Sequence, residues 1–194
     1  MCPSCGKVQP AAPGATHFDV FGLPRSYTVD GPALEKQYRE LSLKLHPDRF
    51  AKADAKERRI SLEQTSALND AYKTLRDPVR RAFYLLKLHG LDLDREDAGA
   101  QKNMPMEFLE EVMELREELD QAKKKKDVEK AQSMAGGVEK KRKGALEIAV
   151  SALQKLEQNG ADKAALQTAS FELARVRYFQ RFLEEVAAIE EEQL

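Results

Sequence analysis

The chain has 194 residues, of which 42% are hydrophobic and 34% charged, enough for one large or two small domains with real cores. A formal net charge of -1 argues against wholesale binding of nucleic acid or of a membrane surface, so any electrostatic function must be local. No apolar run approaches the roughly 18 residues that span a bilayer, the first residues lack the pattern of a secretory leader, and the only two cysteines lie too close together to staple a fold, all of which predicts a soluble, cytoplasmic protein.

Few glycines, eight prolines and almost no alternation of apolar and polar residues predict an all-α chain. Residues 1–16 read as a tail or a small knuckle carrying Cys2-Pro3-Ser4-Cys5. That spacing is half of a zinc knuckle, but a structural zinc takes four ligands. His17 is a weak third. Two readings stay open: an inert remnant, or a zinc site completed outside this chain, including by a second copy in a homodimer. Phe18, Phe21 and Leu23 then anchor a short helix or turn stopped by Pro24.

Asp30 caps the next helix, with Pro32 in its first turn. Leu34, Tyr38, Leu41 and Leu45 fall on one face, the core face. Lys36, Arg39 and Leu43 lie opposite, with Lys44 on the flank, a basic strip around one leucine that the core does not require. The helix must end near His46, because the residue before proline is pushed out of the α region. Arg49 to Lys56 reads as a loop, and helix resumes near Glu57 and runs to Arg76, with Leu68, Tyr72 and Leu75 facing the core. The two helices should pack as an antiparallel hairpin with His46-Pro47-Asp48 at its solvent-exposed tip. A fourth helix, Pro78 to His89, ends at Gly90.

Residues 92–105 are a polar linker between a first domain, 17–91, and a second, 106–194. The second domain reads as an antiparallel three-helix bundle of helices at about 106–126, 128–158 and 162–191. A kink or fraying is expected at Gly136-Gly137, since each glycine costs about 1 kcal/mol relative to alanine in a helix.

His46 and Asp48 could serve as base and orienter, but the intervening proline splays them, and no nucleophile or oxyanion donor is recognisable nearby; no catalytic residue is assigned. On the first bundle helix, Phe108, Val112, Leu115 and Leu119 make a core stripe, whereas Leu109 and Met113 point away from it within an acidic frame of Glu110, Glu114, Glu117 and Gln121. That is the layout of a modest protein interface. Packing of Leu109 and Met113 against another element is the equal alternative from pattern alone. The lysine runs 123–126 and 140–143 lack interleaved aromatics and read as solvated faces rather than a nucleic-acid site.

The tripeptide at a hairpin tip, the basic helix before it, Asn69-Asp70-Ala71-Tyr72 with Leu75 after it, and Arg80-Arg81-Ala82 beyond together resemble a J domain. The resemblance implies docking on a DnaK-class heat-shock chaperone and stimulation of its ATP hydrolysis, with His46, Pro47 and Asp48 as trigger. Arg39 and Lys44 would be positioning charges, Leu43 an apolar contact and Arg49 the basic residue that follows the aspartate. Glu40 departs from the pattern, standing where many J domains carry another basic residue.

Tyr84-Leu85-Leu86-Lys87-Leu88-His89-Gly90 and the run from Phe108-Leu109 through Met113-Glu114-Leu115-Arg116-Glu117-Glu118-Leu119 extend the resemblance to the HscB family of iron-sulfur co-chaperones, over residues 17–194. It implies that Leu109, Met113, Glu114 and Glu117, with Tyr178 on the third helix, bind an IscU-type scaffold protein and deliver it to an HscA-like chaperone of the DnaK class, with no cofactor required. Glu110 and Gln121 depart from the family pattern. Some HscB-like proteins carry two Cys-x-x-Cys pairs before the J domain, and Cys2 and Cys5 followed by Val8-Gln9-Pro10 resemble the second, which implies another pair upstream of Met1. The alternatives are a J-domain co-chaperone for another client and a lysine-rich helical nucleic-acid-binding protein.

Overall fold

A computed structural model describes residues 9–10, 12–93, 104–160 and 162–191, whose regular structure is entirely helical. The chain divides into two compact units, Met1–Leu85 and Leu86–Leu194.

The first unit begins with α1 (His17–Phe21), where Thr16 and Asp19 form a capping box and Gly22 ends the helix in the left-handed region at φ 62°. Phe18 and Phe21 are buried. Asp30 caps α2 (Gly31–Leu45) by accepting from the Ala33 N–H at 3.0 Å. Asp54 caps α3 (Ala55–Arg76), accepting from Glu57 N–H at 2.8 Å.

The two helices run antiparallel. Midway along α2, the Tyr38 ring stacks on Tyr72 at 4.0 Å and its hydroxyl donates to Asn69 Oδ1 at 2.9 Å, and one turn earlier Glu35 accepts from the Tyr72 hydroxyl. At the end of α2, Ser61 of α3 reaches Leu45. Leu34, Leu68 and Leu75 are fully buried between the elements of this unit, each contributing about 1.5–3 kcal/mol. Arg81 in α4 (Pro78–Leu88) is buried and closes the far end: it donates to the carbonyls of Leu75 at 2.7 Å and Tyr27 at 2.6 Å. A cation there also meets the negative end of α3.

The stretch expected as a loop from Arg49 to Lys56 is more ordered than that. Pro47–Phe50 is a 3₁₀ turn whose Phe50 is buried, and α3 begins at Ala55, two residues before the expected start. Proline supplies the fixed φ that starts the turn, and burial of Phe50 holds it.

The second unit contains α5 (Met106–Lys125), α6 (Val128–Asn159) and α7 (Lys163–Glu191). Asp127 and Asp162 cap α6 and α7. Ala131, Ala145, Ala149 and Ala152 of α6 are buried, small side chains that let α7 approach closely. Phe108 and Leu119 of α5, Val138 of α6, and Phe179, Phe182 and Val186 of α7 share one core. The fraying expected at Gly136-Gly137 does not occur: α6 is one uninterrupted helix of 32 residues. Ala131 and Val138 flank the glycines and are anchored in the core, so tertiary packing overrides the local propensity.

Candidate docking surfaces

The tripeptide is exposed but not loose. His46 leaves the helix at ψ 128°, and its Nδ1 accepts from the Asp48 N–H at 3.3 Å, with the Asp48 carboxylate 3.6 Å from the same nitrogen. Below it, the Leu45 carbonyl, orphaned by the end of α2, accepts from Ser61 Oγ at 2.8 Å and lies 3.1 Å from Thr65 Oγ1. Arg49 Nη1 approaches the Leu43 carbonyl at 3.4 Å. Backbone on both sides of the proline is therefore tied down while the His46 and Asp48 side chains stay in water.

On α2, Leu43 is 70% exposed and Lys36, Arg39 and Lys44 are exposed around it. Arg39 pairs with Glu35 at 2.8 Å, and the hydroxyl of Tyr72, then Arg39, holds the Glu35 carboxyl below its ordinary pKa. Lys44 stands on the other flank, where it lines a cleft of about 660 Å³ with Gln9, Pro10, Leu41 and Gln64.

Leu109 is 42% and Met113 63% exposed, so neither joins the bundle core. Met106, 67% exposed, precedes Leu109 by three residues and Met113 by seven, and so extends the same apolar line. Sequence reasoning missed it, although its spacing was available. Glu110, Glu114, Glu117 and Gln121 are exposed beside the line.

The back of α5 is fixed by Phe108, which meets Phe171, Tyr178 and Phe179 edge-on at 5.8–6.0 Å. The Arg175 guanidinium lies 5.4 Å from the Phe108 ring and pairs with Glu172 at 2.9 Å, while Lys141 pairs with Glu111 of α5 at 2.5 Å. Tyr178 is half-buried, and its hydroxyl donates to the Val112 carbonyl at 3.2 Å, which sets it against α5 one residue from Met113. Burial pushes the Tyr178 hydroxyl above its ordinary pKa, against the nearby Arg116.

Comparison with known proteins places both halves of the chain in one family. The DnaJ domain matches residues 16–84, and the HSCB C-terminal oligomerisation domain matches residues 104–187. A co-chaperone protein HscB homolog of Burkholderia multivorans is 35% identical over 175 residues, covering 89% of this chain and 93% of the relative. The chain belongs to the HscB family of iron-sulfur J-domain co-chaperones. The crystal structure of human co-chaperone protein HscB superposes with a TM-score of 0.82 at 29% identity, over 97% of this chain and 89% of that one. Chaperone HscB from Vibrio cholerae gives 0.73 at 30% identity, over 93% and 100%.

Other sequence-derived candidates distribute as follows. Cys2 and Cys5 lie outside the described residues. His17 stacks on Tyr84 at 4.3 Å and donates its N–H to the Tyr84 hydroxyl at 2.9 Å. Lys123, Lys124 and Lys125 form the last turn of α5, where cations suit the helix dipole. In the second run, Lys143 sits 3.8 Å from Glu139. Among the described residues, no helix is long and apolar enough to cross a membrane.

Proposed function

We propose that this HscB-family member stimulates ATP hydrolysis by a DnaK/HscA-class chaperone and delivers an IscU-type iron-sulfur scaffold protein to it, in the cytoplasm. The observation that carries the reading is the pairing, on one chain, of a braced and exposed His46-Pro47-Asp48 turn with an uncovered Met106, Leu109 and Met113 line.

Residues 17–91 act as the J domain and residues 106–194 as the scaffold-binding bundle, joined by the linker 92–105. The J domain carries out no bond chemistry. A partner that accelerates hydrolysis without touching ATP does so by binding the hydrolysis-competent conformation better than the resting one. His46, Pro47 and Asp48 make that differential contact, Leu43 adds apolar area, and Arg39, Lys44 and Arg49 steer an acidic partner surface. Electrostatic steering of this kind chiefly raises the association rate.

Leu109 and Met113 form the apolar centre of the scaffold site, Glu114 and Glu117 its polar rim, and Tyr178 its edge. Tethering both partners to one chain raises their effective concentration for each other. The test is a steady-state ATPase assay of the chaperone with the protein, with and without scaffold. Stimulation should rise further when scaffold is added, and His46→Gln should lower stimulation by at least about tenfold while scaffold binding persists. Undiminished stimulation by His46→Gln would overturn the assignment.

A further inference from the structure

Among the described residues of the first unit, Leu62 is the second large apolar side chain left in water, 63% exposed on α3 against 70% for Leu43 on α2. One exposed leucine needs no explanation. Here two occur on the helices flanking a single docking turn, each preceded by an arginine four residues earlier, Arg39 before Leu43 and Arg58 before Leu62.

The position of Leu62 is fixed by its neighbours. Ser61 donates to the Leu45 carbonyl, so Leu62, the next residue, stands level with the last turn of α2. Its side of the hairpin is fixed as well. Asn69, which binds Tyr38, and Leu62 are seven residues apart and share one face of α3; Glu35, which binds Tyr72, and Ser42 share the adjoining face of α2 in the same way. The opposite flank carries Gln64, whose Nε2 donates to the Gln9 carbonyl at 3.0 Å, so the described part of the N-terminal segment crosses there and leaves Leu62 clear.

We propose that Leu62 is a further contact for the DnaK-class chaperone, extending its docking site from α2 across the tripeptide onto α3; this rests on the chaperone reading above. Size supports this occupant. A stable interface takes about 800 Å² from each partner, a patch roughly 30 Å across. Centred on His46, such a patch reaches Leu62, because neighbouring packed helices lie only about 10 Å apart. Charge supports it too. Arg58, exposed in the first turn of α3 and anchored by its Nη1 on the Ala53 carbonyl at 2.7 Å, adds a cation one helical turn before Leu62, on a unit whose basic strip on α2 is weakened by Glu40.

The experiment is a titration of the purified chaperone and ATP with full-length wild-type protein and with Leu62→Gln, Leu62→Met, Leu43→Gln and His46→Gln. Leu62→Gln should raise the concentration for half-maximal stimulation about fivefold and leave the plateau and the thermal midpoint unchanged. Leu62→Met should restore the wild-type curve. Coincidence of the Leu62→Gln and wild-type curves, with Leu43→Gln displaced, would overturn the Leu62 contact alone. Equal stimulation by His46→Gln and wild type would overturn the chaperone reading and the Leu62 contact with it.

Discussion

In the first unit the proposed docking residues sit where a helix is broken; in the second they sit on a helix that is not interrupted. His46-Pro47-Asp48 owes its shape to backbone groups that neighbouring side chains satisfy from below, Ser61 and Thr65 on the Leu45 carbonyl and buried Phe50 at the end of the 3₁₀ turn. The α5 face owes its shape to nothing local beyond helical geometry, and to a core on its reverse side that holds Phe108 against three rings. A turn of three residues concentrates its function, so single changes should be decisive. A helix face spreads its function over two turns, so changes there should be graded, and the largest single effects should come from behind.

Phe108→Ala removes the ring at the centre of that support and should cost about 3–5 kcal/mol of bundle stability, read as a lower midpoint in urea unfolding. Scaffold affinity should fall with it, although Phe108 is buried and cannot touch the scaffold. Leu109→Ala with Met113→Ala acts on the exposed side. The pair should weaken scaffold binding by about ten- to a hundredfold in titration calorimetry, with helical content and unfolding midpoint unchanged. An unaltered dissociation constant would remove those residues from the interface.

Ser61→Ala with Thr65→Val tests the turn from below. Leaving the Leu45 carbonyl without its hydroxyl donors should cost about 1–3 kcal/mol. Chaperone stimulation should decline while scaffold binding stays constant. Full stimulation would mean that the tripeptide does not depend on the bracing hydroxyls.

Much of this contrast was legible in the sequence. Pro47 dictates where α2 ends, Asp30 and Pro32 where it begins, and the spacing of Phe108, Val112, Leu115 and Leu119 separates core from Leu109 and Met113. The 3₁₀ turn was not, because Phe50 is a lone apolar residue whose burial depends on distant elements. The start of α3 could have been found: Asp54 with Glu57 three residues later is the spacing of a capping box. Gly136-Gly137 misled because propensity is a weak term beside the core contacts of Ala131 and Val138. Leu62 does not stand out in the sequence because the clearest apolar stripe of α3 begins only at Leu68.

The central claim is that one chain must carry both docking surfaces. The direct measurement is scaffold-enhanced chaperone ATPase activity in a mixture of His46→Gln with the Leu109→Ala, Met113→Ala double variant, so that each surface is intact on a different molecule. The account predicts that the mixture gives no more scaffold enhancement than the double variant alone, at any ratio, because tethering is lost. Recovery of the wild-type enhancement on mixing would contradict it.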